Sequence, residues 1–142
     1  MPRRAPERLP LQRASVLAAA VALADVEGAD AVSMRRLADA LGVVPMALYK
    51  HVADKEDLLD GMVDTVIGEF DRPDPAAAER DWPTAVREVV LSARRAVIRH
   101  PWLRRALETR TVRTPAVLGH MEVLTGLLLA GGLSPDLAHH AM

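Results

Sequence analysis

The sequence predicts an all-α chain, on three observations. Half of its 142 residues are hydrophobic yet only 3% are aromatic, so the interior must be built from Ala, Val, Leu and Met, a set rich in strong helix formers. Apolar residues recur at spacings of three and four along most of the chain, whereas the alternation of a half-buried strand is nowhere sustained. Glycine and proline fall between the periodic stretches, where they stop and start helices.

The first ten residues, MPRRAPERLP, hold three prolines and three arginines without periodicity and predict a flexible arm over 1–10. From Leu11 to Val26, Val16, Ala19, Ala20, Leu23 and Ala24 recur at helical spacing, and Gly28 is placed to end that helix. Ser33 is a good N-cap, Leu37, Ala40 and Leu41 share a face, and Gly42 supplies a residue able to turn at positive φ. Pro45 suits the first turn of a second short helix whose buried stripe is Leu48 and Val52, leaving Met46, Ala47, Tyr49, Lys50 and His51 pointing outward. Two short helices joined by a tight turn, the second with a small, aromatic and basic outer face, form a helix-turn-helix suited to the DNA major groove. Asp54 caps the next helix, with Glu56 and Asp57 in its first turn and Leu58, Leu59, Met62, Val66 and Phe70 as one stripe.

The proline- and charge-rich stretch that follows predicts a linker over 71–81. Trp82 to Arg99 reads as a helix with Val86, Val89, Val90, Ala93 and Val97 inside and Arg87, Arg94, Arg95 and Arg99 outside. His100-Pro101 breaks it, and a short segment carries Trp102, Leu103, Ala106 and Leu107. Thr114-Pro115 opens a helix lined by Val117, Met121, Leu124 and Leu128, Gly131-Gly132 stops it, and Ser134-Pro135-Asp136 opens another.

Met34-Arg35-Arg36-Leu37-Ala38, Leu41-Gly42-Val43, Leu48-Tyr49-Lys50-His51-Val52 and Lys55-Glu56-Asp57-Leu58-Leu59-Asp60, in that order and spacing, resemble the TetR family of bacterial transcriptional repressors. The likeness covers about Leu11 to Phe70 closely and the rest loosely. It implies a helix-turn-helix DNA-binding domain of three helices plus a connecting fourth over 11–70, then a partial helical effector-binding and dimerisation domain over 82–142. By the same resemblance Tyr49 and His51 touch phosphates or base edges, Lys55 contacts a phosphate, and Arg35 reaches the groove from the preceding helix. Ser33 and Met34 join the expected contact set there. Pro45, Met46 and Ala47 stand where relatives often place polar base readers; Met and Ala can touch a thymine methyl but make no bidentate hydrogen bonds, which shifts specificity onto Arg35, Lys50 and DNA shape.

Val86, Val90, Trp102, Leu103, Leu107, Met121 and Leu124 would fill an ordinary bundle core, and the resemblance reads them as the lining of an effector pocket. It places Leu107 where tetracycline-sensing members have a magnesium-ligating histidine, which argues against tetracycline–magnesium recognition. It also places the long dimerisation helices beyond Met142, so a truncated chain is the expectation, with apolar faces left uncovered and the homodimer belonging to the full-length family form.

The chain lacks the GxSxG elbow, the phosphate-cradling glycine loop and HExxH, so no enzyme or catalytic residue is expected. His139 and His140 are adjacent, about 100° apart on a helix, and ill placed to share an ion; no metal and no cofactor are expected. The absence of cysteine suits a reducing cytoplasm, and the longest nearly apolar run, Val123 to Leu133, falls short of the roughly 20 residues that span a bilayer. Net charge is −1, but the first 55 residues carry eight basic against six acidic side chains and the remainder ten against thirteen, a modest bias of the right sign. The expected partners are therefore a double-stranded DNA operator and a small apolar effector, with no membrane. The alternative is a helical ligand-binding or protein-interaction module without useful DNA binding.

Overall fold

A computed structural model describes residues 10–142 of the protein, so of the expected arm only Pro10 is described and Met1 to Leu9 lie outside the described residues. These residues form helices and turns with no strand among them. α1 runs Arg13–Glu27, a 3-10 turn covers Ala29–Ala31, α2 is Met34–Leu41, α3 is Pro45–Leu48 and α4 is Lys55–Ile67. α5 (Pro75–Arg80), α6 (Trp82–Arg99), α7 (Trp102–Thr109), α8 (Pro115–Ala130) and α9 (Pro135–His140) follow. No helix of the described residues is long and apolar enough to cross a membrane.

The capping chemistry sets the boundaries. Ser33 accepts the Arg36 N–H at 3.2 Å and Asp54 accepts the Asp57 N–H at 2.8 Å, satisfying donors that a helix start leaves open. Gly42 takes φ 65°, and the Val43 N–H closes on the Ala38 carbonyl at 3.0 Å, so α2 ends in a left-handed turn that a side chain would strain. Two lengths differ from expectation. α3 is a single turn: after Leu48 the backbone tightens, with the His51 and Val52 N–H groups both donating to the Leu48 carbonyl, so Tyr49 to His51 sit in a turn. The stretch expected as a linker contains α5, because Asp74 caps it, Pro75 occupies its first position and three alanines follow.

α1, α2, α3 and α4 enclose a core of Val16, Ala20, Val32, Leu37, Leu48, Leu58 and Met62, each fully buried. α4 is wider than one stripe. Its Val63, Val66 and Ile67 face the second half, where Trp102, Leu103 and Val117 complete the same cluster. A smaller cluster of Ala78, Ala85, Val89 and Leu127 ties α5, α6 and α8 together. Where α1 crosses α4, Gly61 allows the contact: a Cβ there would stand 2.6 Å from Leu17 Cδ2.

α6 is turned by about one residue from expectation. Ala85, Val89, Ser92 and Ala96 are buried against neighbouring helices, while Val90, expected inside, is 49% exposed. Ser92 is tolerated there because its Oγ accepts the Asp71 N–H at 2.8 Å.

Candidate nucleic-acid interface and ligand cavity

The outer face of the helix-turn-helix is held from behind by Arg13. Its guanidinium donates to both carboxylate oxygens of Asp57, at 3.0 and 2.8 Å, and to the His51 carbonyl at 2.6 Å, while Asp57 also accepts the Ala53 N–H at 2.8 Å. One side chain thus joins the start of α1, the turn after α3 and the first turn of α4. The Arg13 hydrogen bonds and the Ala53 N–H lower the Asp57 carboxyl from its ordinary 3.8 to about 2. A carboxyl lowered on folding stabilises the fold above its unfolded value and stops doing so once protonated. The chain is therefore expected to lose stability as pH falls from about 4 toward about 2, only modestly because Asp57 is about one-third exposed. Asp57→Asn should flatten that part of a pH–melting curve; an unchanged curve would show that the clamp contributes nothing.

In front of this clamp Arg35, Lys50 and Lys55 are exposed and, among the described residues, have no ion pair or hydrogen-bonding partner. Tyr49 is 48% and Met46 73% exposed, with Pro45 also exposed and Ala47 and His51 half-buried. Arg36, by contrast, is taken up by Glu27. Two members of the expected contact set are placed otherwise: the Ser33 hydroxyl is engaged as the α2 cap, and Met34 packs partly buried against the core. Val44 was not anticipated. It is 67% exposed beside Met46 while Val43 packs inward, an assignment that two adjacent valines on a loop do not announce in the sequence. The face thus offers three free cations around a phenol and two apolar side chains, suited to phosphates and to thymine methyls.

The second half holds a cavity of about 430 Å³ between α4, α6, α7 and α8. Val86, Val90, Leu107, Met121 and Leu124 line it, together with Ile67, Phe70 and His120. Trp102 and Leu103, expected with them, lie elsewhere: Leu103 is fully buried in the core and Trp102 borders a separate cleft of about 460 Å³ against the end of α1.

Trp102 has a different partner. Asp25 on α1 accepts the Trp102 Nε1–H at 2.7 Å and lies 2.8 Å from His100 Nδ1, joining the helix-turn-helix half to the α6–α7 corner. His100 has a side chain only 6% exposed, with its other nitrogen 3.7 Å from Glu69. Among the described residues no cluster of three or more His, Asp or Glu forms a metal site.

Residues 16–62 match the sequence model described as bacterial regulatory proteins, tetR family, and residues 74–142 match the tetracyclin repressor-like C-terminal domain. The chain is 36% identical over 123 residues to the HTH-type transcriptional repressor DrrR1 of Streptomyces coeruleorubidus, covering 86% of this chain and 45% of that protein. It is similar to the Streptomyces coelicolor TetR family protein ActR solved with actinorhodin: 35% identity, TM-score 0.78, 94% of this chain and 62% of that one. It is also similar to BioQ solved with its double-stranded DNA operator, at 28% identity and TM-score 0.73, over 93% of this chain and 79% of that one. The chain thus spans less than two thirds of the first two proteins.

Proposed function

The chain belongs to the tetR family of bacterial regulatory proteins, and on that footing we propose that it is a cytoplasmic transcriptional repressor. Its helix-turn-helix reads a two-fold operator as part of a dimer, and a small, largely apolar effector in the α4–α6–α8 cavity releases it. The observation that carries the DNA half is the set of unpaired cations Arg35, Lys50 and Lys55 around exposed Tyr49 and Met46. Lys55 is informative because it opens α4, where the helix dipole disfavours a cation. A lysine kept there without a carboxylate partner has a ready one in a DNA phosphate, which the N-terminal N–H groups of α4 also attract. DrrR1 is named a repressor, and BioQ is solved on an operator, both in keeping with this role.

The cavity volume falls within the roughly 300–1,000 Å³ usual for small-molecule sites, and ActR is solved with ligands. Release requires that the ligand favour a spacing of the two recognition segments other than the ~34 Å of successive major grooves. The coupling is then reciprocal, so bound operator weakens ligand binding by the same factor.

The test begins by selecting bound duplexes from a random library. Lys55→Ala should weaken all duplexes alike and lower the slope of log K against log salt by about one, the mark of one lost phosphate contact. Arg35→Ala should instead relax preference at particular base pairs. If Lys55→Ala and Tyr49→Ala both leave affinity for the selected duplex unchanged, the interface is misassigned. Failure to retain any duplex even at low salt would favour the helical ligand-binding or protein-interaction module.

A further inference from the structure

We propose that the cavity between α4, α6 and α8 selects an organic anion, an apolar body carrying one carboxylate or similarly charged oxygen that Arg113 and Arg72 receive. The inference rests on the cavity being the ligand site and adds the chemistry of what enters it. Most of the lining is aliphatic, from Val86, Val97, Leu107, Val117 and Leu124, which suits a hydrophobic ring or chain. The polar side chains in the lining are Arg113 and His120, and no Asp or Glu side chain is among them.

Arg113 stands just ahead of the Thr114 cap of α8 and has no ion pair or hydrogen-bonding partner among the described residues. Arg72 is likewise unpaired and stands beside α8 at His120: its Nη2 is 4.0 Å from where a Cβ on Gly119 would lie. Arg95 is committed to Asp71, Arg99 to Glu69 and Arg110 to Asp60, while Arg80, Arg87 and Arg94 are unpaired among the described residues but do not line the cavity. The wall thus holds one unpaired guanidinium, Arg113, and no Asp or Glu side chain, and a second, Arg72, stands outside the lining beside His120, so a neutral ligand leaves this positive charge unanswered.

His120 sharpens the specificity. Its ring meets Phe70 edge-on, with centroids 4.9 Å apart. Burial, and then the neighbouring Arg72 charge, lower its pKa below the ordinary imidazole value, so near pH 7 it is a neutral hydrogen-bonding group and the arginines supply the charge.

The probes are naphthoate and naphthamide, alike in shape and different in charge, titrated into the full chain by displacement of anilinonaphthalene sulfonate fluorescence. Naphthoate should bind about tenfold more tightly, the size of one charge-assisted contact. In the Arg72→Gln, Arg113→Gln double variant that preference should shrink to about twofold or less while naphthamide affinity stays unchanged. Equal binding of the two probes by the unmodified chain would overturn the anion assignment while leaving the cavity as a ligand site. A naphthoate preference that survives the double variant would overturn the roles of the arginines. Naphthoate binding that persists undiminished in Val86→Trp, which fills the cavity, would overturn the ligand-site reading itself.

Discussion

Replacing Leu48 by Ala is expected to destabilise the chain by about 2–5 kcal/mol and to abolish specific DNA binding, the range seen when a fully buried leucine is truncated. α3 is four residues long, far below the length at which a helix holds itself together in water. Its one buried side chain is Leu48, at 0% exposure, seated among Leu37, Val52 and the α1–α4 core. The turn bearing Tyr49, Lys50 and His51 is anchored through that side chain and through the His51 carbonyl held by Arg13. Urea denaturation read by circular dichroism gives the stability, and fluorescence anisotropy on the selected duplex gives the affinity. A loss below about 1 kcal/mol would mean that the site collapses around the smaller side chain.

Asp25→Ala should also be costly, because it strands two donors at once. The Trp102 Nε1–H and His100 Nδ1 both rely on the Asp25 carboxylate, and His100 and Trp102 are buried. Each buried polar group left without a partner destabilises by about 1–3 kcal/mol. Asp25→Asn, which keeps a carbonyl oxygen for one of them, should recover part of the loss. The two variants are compared by thermal melting, and an alanine variant that melts with the unmodified chain would show that the contact is not maintained in solution. Because Asp25 lies in the helix-turn-helix half and its partners in the other, under the proposed function the same variants should weaken the influence of a cavity ligand on DNA affinity.

Neither Asp25 nor Arg13 could have been singled out from the sequence. What was legible is local: Ser33, Gly42, Asp54, Thr114-Pro115 and Ser134-Pro135 mark helix ends by chemistry confined to a few residues, and α6 begins at Trp82 and ends at Arg99 as its periodicity predicts. Arg13 finds Asp57 across 44 residues, and Asp25 finds His100 across 75, and no spacing rule reaches so far. The short apolar repeat of α6 fits two faces one residue apart, and tertiary packing chose the one centred on Val89. α8 is apolar nearly all round, so its buried side is fixed by its neighbours; Val117 and Leu127 are buried while Leu118 is 51% exposed. On the candidate face, the exposure of Tyr49 and Lys50 was legible from the outward positions around Leu48 and Val52, whereas that of Val44 needed the path of the loop.

The sharing of α4 between the two parts of the core has a mechanical meaning. One end of the helix begins with Lys55 at the proposed phosphate contact, and the other ends with Ile67 in the wall of the cavity. Thirteen residues make a rod about 20 Å long, and a rod packed along its length turns as a lever. A tilt of about 5° imposed at the Ile67 end carries the Lys55 end through roughly 2 Å, several times the spread of about 0.5 Å over which a hydrogen bond keeps its strength. Under the proposed function, a ligand that displaces Ile67 or Phe70 slightly would carry Lys55, and the turn that Arg13 fastens to the same end, off the DNA.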